Sequence, residues 1–334
     1  MKHATTSAGL DVSELRTFLR KYSQSSVAKG LWQIANSVVP FVAIWAAMIF
    51  VSFRNPWAVL PLAFVNGLLM TRIFVLQHDC GHHTLFPAKN LNNIFGNILS
   101  LITFTPLYNW RREHNLHHSH IGNLDKVEHG DFWMMTVDEY RVASPSLRFK
   151  YRIYRNPLVL FVIGPVFYLL VRRRLPVNLA SHLRRERRNV HATNLALASV
   201  YGALAFWFGW KLLLLCLLPI VVVGASICVF GFYVQHTYEE GYWQRDEKWN
   251  YHQAALTGSS YYDLPGWMLW FTADISVHHI HHLDSSIPNY NLQKCWRENP
   301  QLRPAKSMTF VQSLGCVAFK LWDEEANKFV GYPA

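Results

Sequence analysis

Four long apolar runs dominate this sequence of 334 residues and restrict what it can fold into. They cover residues 31–53, 56–77, 192–210 and 212–235, and the only charged residue within them is Arg72. Each run matches the roughly 20 helical residues that cross a hydrocarbon core. Arg72 lies near the end of its run, where we expect its long side chain to reach the headgroups. The sequence therefore predicts an all-α integral membrane protein with four transmembrane helices.

Positive charge is concentrated in one part of the chain. The sequence has 32 Lys and Arg against 21 Asp and Glu, and about 12 of the basic residues fall within 141–191, where Glu186 is the single acid. The two links that join paired runs carry only Arg54 and Lys211. Because basic loops stay cytoplasmic, we expect the basic block and both termini on that side. Such a block is typical of a platform at a membrane surface, and no nucleic-acid partner is expected.

Shorter segments are expected to lie on the membrane surface or against other helices. Residues 157–171 are apolar but flanked by basic residues on both sides, so a single crossing would carry one cationic cluster outside. We predict that they are interfacial or buried. Residues 1–30 form a predicted interfacial segment with apolar side chains at helical spacing. These are Val12, Leu15, Phe18, Leu19 and Tyr22. The chain 1–334 is predicted to be a single membrane-embedded domain.

Nine of the 17 histidines fall into a pattern typical of metal ligands. Three clusters have helical spacing of i, i+4 or i, i+3, i+4, and a further histidine ends the fourth apolar run. The nine are His78 and His82; His114, His117 and His118; His236; and His278, His281 and His282. Each cluster can present its rings from one side of a helix, as imidazole ligation of a shared metal requires. We therefore predict a cytoplasmic histidine-rich cap that holds metal.

The alternatives to metal binding are stronger for some of these histidines than for others. Taken alone, His236 is more typical of a hydrogen-bonded interfacial residue. The three clusters are not explained by packing, since like rings one turn apart repel when protonated. His83, His120 and His279 flank the clusters and are expected to support a ligand or lie on the surface. No ligand role is assigned to the other five, which are His3, His129, His182, His191 and His252.

The number and type of donors favour two metal ions. Nine imidazoles exceed the about four ligands of one zinc site, and a haem needs only one or two. Nitrogen donors fit a late first-row metal such as iron, whereas calcium and magnesium require oxygen. For the first two clusters to share a site, residues 91–110 must dip into the membrane and return, or lie flat.

At these residues the sequence resembles the membrane fatty-acid desaturases, specifically the acyl-lipid type related to delta-12 (omega-6) enzymes. The similarity covers nearly the whole chain. Its histidine boxes begin at His78 (His-Asp-Cys-Gly-His), His114 (His-Asn-Leu-His-His) and His278 (His-His-Ile-His-His). The context extends to Gly122-Asn-Leu-Asp, Gly130-Asp-Phe-Trp and Ile287-Pro-Asn-Tyr-Asn-Leu.

The resemblance implies a non-haem di-iron centre held by the histidines of the boxes, with a further ligand at the position of His236. The implied reaction inserts a double bond into the acyl chain of a membrane lipid, using O2 and two electrons. We find no Gly-rich dinucleotide motif and no Cys cluster for iron–sulfur, so we expect an external donor, a ferredoxin or a cytochrome b5-like protein, steered by the cationic face. Which histidine binds which iron, the position of the double bond and the acyl carrier stay open.

Two further sets of residues are candidates for supporting roles. The carboxylates of Asp79, Asp274 and Glu239 are candidates for orienting ligand rings, although a helix cap or a surface position is an equal alternative. An apolar tunnel that measures the acyl chain from one end is expected, since one methylene contributes only about 1–3 kcal/mol in a pocket. Its candidate lining residues are Phe74, Phe104 and Trp270, whose alternative role is helix packing.

Two rival functions share part of this pattern. A histidine-ligated di-iron hydroxylase or ketolase would have the same boxes but transfer oxygen to the chain. A metal transporter would place its histidines near the bilayer midplane on broken helices, whereas these clusters follow the apolar runs. Five cysteines without paired spacing predict no disulfide framework, and Cys80 is expected to be a packed residue rather than a nucleophile.

Overall fold

The computed structural model describes residues 18–127, 131–177, 179–302 and 307–333. The fold is predominantly helical, as predicted. The α-helices are α1 (Val27–Ser52), α2 (Val59–His82), α3 (Lys89–Thr103), α4 (Leu107–His120), α5 (Val137–Val142), α6 (Pro145–Tyr154), α7 (Gly164–Leu170), α8 (Arg184–Phe208), α9 (Trp210–His236), α10 (Tyr251–Thr257), α11 (Gly266–Phe271), α12 (His278–Leu283), α13 (Asn289–Glu298) and α14 (Phe310–Gly315).

Shorter elements join these helices. The 3₁₀ helices are Arg20–Tyr22, Pro56–Ala58, Leu124–Lys126, Arg172–Arg174, Pro300–Leu302 and Cys316–Ala318, and Val159–Ile163 is a π-helix. The strands are β1 (Tyr261–Asp263), β2 (Ser307–Thr309), β3 (Leu321–Asp323) and β4 (Lys328–Val330). β1 pairs in parallel with β2, and β3 forms an antiparallel pair with β4. These two small sheets are additions to the all-α prediction.

Three helical segments among the described residues are long and apolar enough to cross a membrane: Val27–Ser52, Pro56–His82 and Trp210–His236. They match the first, second and fourth predicted spans. The third predicted span lies mostly in α8, which is less apolar because its first turns carry four arginines and Glu186 and the polar His191 and Asn194 follow them. That α8 crosses the membrane stays a prediction.

The stretch 157–171 lies in one arm of a bent pair of helices. Pro145–Tyr154 meets Val159–Arg174 at 60°, as in a broken span or a re-entrant loop. Counted as one crossing, this pair would give the described chain a fourth span. Leu160 and Phe161 are buried and pack against Tyr233 of α9, so this part of the stretch is buried as predicted.

Close packing of α2 against α9 forms the centre of the membrane part. A Cβ atom on Gly67 would lie 2.5 Å from Cγ1 of Val223, and one on Gly224 would lie 2.9 Å from Sδ of Met70. Small residues let two helix backbones approach in this way, which is how helices associate where lipid supplies no hydrophobic driving force.

The position predicted for Arg72 is wrong. Its side chain is 3% exposed and is held inside the fold, not at the headgroups. Nε donates to Oγ of Ser37 at 2.9 Å, the guanidinium lies 4.3 Å from the ring centroid of Trp270, and Nη1 donates to the Trp270 carbonyl. A buried cation is tolerated when its donors are satisfied, so Arg72 links α2 to α1 and α11.

The basic block is only partly a surface platform, which corrects the prediction. Arg155 is 1% exposed and donates to the Tyr233 hydroxyl and to the Phe319 carbonyl, both at 3.2 Å. Arg173 is also buried, and its Nη1 lies 2.7 Å from a carboxylate oxygen of Glu113. Arg155 thus supplies a donor to a loop carbonyl, and Arg173 pairs with a carboxylate of α4.

The N-terminal segment also differs from the prediction where it is described. Val12 and Leu15 lie outside the described residues. Leu19 and Tyr22 do not form a free membrane-facing surface, since they are buried against residues of α12 and α13. The Tyr22 hydroxyl donates to Glu298 at 2.6 Å. The segment therefore fastens the first helix to the part of the chain that carries the third histidine cluster.

Candidate metal centre

The nine predicted ligands come from four helices and meet at one place. His78 and His82 occupy the last turns of α2, and His236 is the last residue of α9. The second cluster lies on α4 and the third on α12. Both long helices therefore deliver their histidines at their C-terminal ends. This end position does not favour the transporter alternative, which requires sites near the bilayer midplane.

A reversal of the chain brings the second cluster to the first. α3 ends at Thr103, the next residue Phe104 has a left-handed φ of 55°, and α4 begins directly after Pro106. α3 packs against both α2 and α4. The run 91–110 is thus two helices rather than one crossing, and Nε2 of His114 lies 2.9 Å from Nε2 of His78. This geometry agrees with the prediction that the run returns to the side from which it starts.

The rings sort into two compact groups, and within each the possible ligand atoms all lie within 4.8 Å of one another. The five-histidine group is His78, His82, His114, His118 and His281; the four-histidine group is His117, His236, His278 and His282. The second and third clusters each contribute to both groups. The two groups adjoin, since the rings of His118 and His282 stack with centroids 4.2 Å apart.

Nitrogen spacing within the groups fits a shared metal ion. In the five-histidine group, Nε2 of His118 lies 3.0 Å from that of His114 and 3.1 Å from that of His281. In the four-histidine group, Nε2 of His278 lies 3.0 Å from that of His236 and 3.1 Å from that of His282. Imidazole nitrogens that share one ion at about 2.1 Å lie about 3 to 3.4 Å apart.

Unpartnered nitrogens support the same interpretation. Nε2 of His82 and Nε2 of His117 are buried and have no hydrogen-bond partner among the described residues. One of these atoms belongs to each group. A buried polar atom without a partner is costly, and a metal ion bound to that nitrogen would remove the cost. The donor set therefore fits two ions, one in each group.

Burial and neighbouring rings keep at least four of these rings neutral. Burial holds the pKa of His114, His118 and His281 well below the usual value of a histidine, and the neighbouring rings lower it further. The pKa of His282 is lowered for the same reasons. A neutral imidazole keeps one nitrogen lone pair free for a metal, whereas a protonated ring has none.

Three groups orient rings through their other nitrogen. Oδ1 of Asp79 lies 3.2 Å from Nδ1 of His78, and its Oδ2 accepts the backbone N–H of Asn289 at 2.7 Å. Oδ1 of Asp131 lies 2.8 Å from Nδ1 of His117, within ion-pair distance, although the angle at that nitrogen is not that of a hydrogen bond. Nδ1 of His236 lies 3.2 Å from the Gly258 carbonyl. Such contacts fix the tautomer and direction of a ligand ring.

Sequence reasoning proposed Asp79 for this role but missed Asp131. The signal was present, because Asp131 lies in the motif Gly130-Asp-Phe-Trp, one of the segments that resemble the family. The other two candidates are placed elsewhere. Among the described residues, no hydrogen bond or ion pair joins Glu239 or Asp274 to a histidine of either group. Glu239 is exposed, and Asp274 lies within electrostatic range of Arg72, while burial raises its pKa.

The three tunnel candidates each pack against a different partner. Phe74 meets Trp110 edge-on at 5.7 Å, Phe104 stacks on Tyr201 at 5.2 Å, and Trp270 lies under Arg72. In the described part of the chain, none of the three packs against another of the three. Their packing role is thus visible, and a role in lining a tunnel stays a prediction.

Two aromatic residues that sequence reasoning missed lie against the ligand rings. Trp110 stacks on His114 with centroids 4.5 Å apart. Phe232 lies 4.9 Å from both His117 and His236. The i, i+4 spacing of each pair, four residues before the histidine, was the available signal.

Two of the three histidines that flank the clusters contact backbone carbonyls. Nε2 of His279 lies 3.0 Å from the Leu302 carbonyl, and Nδ1 of His120 lies 2.9 Å from the Leu116 carbonyl. His83 ends α2 with a left-handed φ of 62°. Cys80 is fully buried and, like the other four cysteines, carries no disulfide.

Comparisons with known proteins agree with the geometry. The family model described as "Fatty acid desaturase" matches residues 55–313. A fatty acid desaturase of Bacillus subtilis is 38% identical over 94% of this chain and 88% of its own length. An sn-1 oleoyl-lipid 12-desaturase of Picosynechococcus is 30% identical over 84% of this chain and 80% of its own length. A chloroplastic omega-6 fatty acid desaturase of Brassica napus is 30% identical over 77% of this chain and 58% of its own length.

Proposed function

Because the chain belongs to the fatty acid desaturase family, and is thus an oxidoreductase, we propose that it inserts a double bond into an acyl chain of a membrane lipid. Two iron ions and O2 are the proposed cofactor and co-substrate. The observation that carries this proposal is the convergence of nine imidazoles into two groups at the ends of two membrane-spanning helices. The five-histidine group would hold one ion and the four-histidine group the other.

The chain's own residues have three tasks in this proposal. An alkyl chain has neither an acidic proton nor a leaving group, so non-haem iron with O2 would supply the oxidising power. The neutral rings supply nitrogen donors. Asp79 and Asp131 hold two of them in direction, and the Gly258 carbonyl holds a third. Trp110 and Phe232 pack against rings of both groups and exclude water from them.

The proposed position of the double bond is that of delta-12 or omega-6 desaturation. It is supported by the names of the Picosynechococcus and Brassica relatives. The name of the Bacillus relative, which is more similar, specifies no position. A membrane lipid as acyl carrier is supported by the term oleoyl-lipid in the Picosynechococcus name.

The remaining parts of the proposal concern orientation and electrons. We propose that the histidines and both termini face the cytoplasm, which is supported by the basic residues near the start of α8. Electrons would come from a separate donor, a ferredoxin or a cytochrome b5-like protein. Exposed arginines such as Arg141 and Arg184 would attract an acidic donor.

Lipid analysis after expression tests the proposal. A bacterial host that lacks the product is fed saturated and monounsaturated acids, and its lipids are examined by gas chromatography and mass spectrometry after derivatisation of the double bonds. We expect a new alkene with the full chain, none with His236→Ala or His118→Ala, and an unchanged yield with His191→Gln, an exposed histidine outside both groups. Hydroxylated or oxo lipid without a new alkene would contradict desaturation and favour the rival di-iron reaction.

A further inference from the structure

A basic cleft lies between α4 and the start of α8. Its volume is about 440 Å³, and its walls include three arginines, Arg111, Arg112 and Arg185, with Tyr108 between them in the lining. Glu186 is the single carboxylate in the lining. The cleft therefore carries a net positive charge and is large enough for a small anionic group.

Two of these guanidinium groups have N–H donors without an acceptor among the described residues. Within the described ranges, neither Arg112 nor Arg185 makes a hydrogen bond or an ion pair. Arg185 lies 4.1 Å from the ring centroid of Tyr108, and Arg111 lies 5.2 Å from it. Cation–ring contacts of this kind hold a guanidinium in place while its N–H donors stay free.

Arg111 connects the cleft to the metal centre. Its Nη2 donates to the Cys80 carbonyl at 3.1 Å and to Asn93 at 2.9 Å, and Cys80 lies between His78 and His82 in the sequence. Its Nε is buried and has no partner among the described residues. An unpartnered donor on an arginine that lines a basic cleft is a second indication that an acceptor binds there.

The cleft lies on the same side as the histidines. α8 and α9 are joined at Gly209 and pack as neighbours, so the first residue of α8 and the last of α9, His236, are at the same end of the pair. Arg185 precedes the apolar run at residue 192 by seven residues, or about 10 Å of helix. That distance places it at about the depth of the lipid headgroups.

One helix presents both features on adjacent faces. On α4, Arg112 and Asn115 line the cleft, while His114 and His118 belong to the five-histidine group. Arg112 lies two positions from His114, so their side chains point to different sides of α4, whereas Arg111, three positions from His114, lies between the two sides. A lipid headgroup in the cleft would therefore lie one helix width from the rings that its acyl chain must reach.

We propose that this cleft binds the phosphate of a glycerophospholipid and so holds the headgroup of the lipid substrate; this rests on the proposed function. Guanidinium groups bind phosphate through paired N–H donors. A protein donor is the less suitable occupant, because protein partners bury about 800 Å² of surface each, whereas only eight residues line this cleft.

Lipid binding by the purified full-length protein tests the site without requiring turnover. Native mass spectrometry would count bound dilauroyl phosphatidylglycerol and, separately, a neutral galactolipid of equal chain length. In the double variant R112Q/R185Q we expect about tenfold weaker binding of phosphatidylglycerol, because both substitutions remove hydrogen bonds from a charged donor to the phosphate. Binding of the galactolipid should not change. R112K/R185K keeps the charge but loses the paired donors, so its affinity should fall between those of the parent chain and R112Q/R185Q. R188Q, an exposed arginine of α8 outside the cleft lining, is the matched control.

Several outcomes would overturn this site. An equal loss in R188Q would show general attraction to positive charge, and unchanged phosphatidylglycerol binding with slower reduction by an acidic donor would make the cleft a donor surface. Displacement of the lipid by inorganic phosphate or by coenzyme A at equal concentration would assign it to a soluble phosphate. A chain that makes no alkene but binds phosphatidylglycerol through the cleft would contradict the proposed function alone. An active enzyme whose R112Q/R185Q variant binds phosphatidylglycerol as the parent chain does would contradict the headgroup site alone.

Discussion

Gly81 shows how a single residue determines the shape of the metal centre. It stands one position before His82, and a Cβ atom there would lie 2.4 Å from Cζ3 of Trp110. Trp110 in turn stacks on His114. The absence of a side chain at Gly81 thus sets the distance between α2 and α4, and with it the position of two ligand rings.

A methyl group at this position should impair catalysis more than folding. In Gly81→Ala the rigid indole must move, and misplacing a reacting group by about 1 Å can cost about 100-fold in rate. We expect turnover to fall about 10- to 100-fold, measured as alkene formed per iron. Gly202→Ala is the control, because a Cβ there meets nothing within 4 Å. Equal activity of the two variants would show that Trp110 does not position the ring.

Asp131 should affect one metal ion more than the other. Its carboxylate lies against His117 of the four-histidine group, and loss of such a partner typically costs about 10- to 100-fold in metal affinity. For Asp131→Asn we expect the chain to lose about one of its two irons during dialysis against a chelator. Asp138→Asn, an exposed carboxylate paired with Arg141, should retain both. Equal retention by the two variants would contradict the role of Asp131.

Residue types revealed the ligands but not their partners. Helical spacing of histidines is visible in a sequence because both rings lie on one helix. The pairing of His117 with Asp131, or of His236 with the Gly258 carbonyl, depends on how separate segments pack. The same limit explains Glu239, which is close to His236 in sequence but exposed, and Arg72, which is satisfied by Ser37 of another helix.

At the scale of elements, the contact between α2 and α9 fixes where two of the three span ends lie. Gly67 faces Val223, whose branched side chain cannot move aside easily. Gly67→Ala should therefore lower the free energy of unfolding by about 1–3 kcal/mol through overpacking. Thermal unfolding in detergent measures this. Gly231→Ala in α9, where a Cβ has open space, should cause no loss, and equal destabilisation of both variants would contradict close packing at Gly67.

The length of an apolar run predicted where a helix lies better than it predicted whether the chain crosses the membrane there or turns back. Long apolar runs located α1, α2 and α9 within a few residues. Apolar length could not show that the run 91–110 is two helices, because the break depends on the left-handed Phe104 and on Pro106. The two small sheets were not predicted, since strands of three residues carry too little pattern.

At the scale of the whole molecule, Arg245 ties together segments that are distant in sequence. Its guanidinium lies 2.9 Å from carboxylate oxygens of Asp125, Glu139 and Glu324. These acids belong to the segment after α4, to α5 and to the turn between β3 and β4. Arg245 thus fastens the C-terminal strands to the helix that carries the second histidine cluster.

The network gives stability a defined dependence on pH. Arg245 lowers the pKa of the Glu324 carboxyl, so this contribution is complete above the ordinary carboxyl pKa and is lost as pH falls through the lower folded pKa. At pH 7, Arg245→Gln should cost about 1 kcal/mol, or about 1–2 °C in melting temperature for a chain of 334 residues. The difference from the parent chain should shrink below about pH 5. Arg141→Gln, whose exposed arginine pairs only with exposed Asp138 among the described residues, should show no such trend, and a difference for Arg245→Gln that is constant with pH would contradict the network.

The most direct test of the proposed centre is the iron content of the chain, purified without added chelator and measured by mass spectrometry of the metal. Two irons per chain are expected, because the rings form two separate groups. His236→Ala with His282→Ala should leave about one iron, held by the other five rings. A single iron in the parent chain, or a double variant that still holds two, would contradict the assignment of one ion to each group.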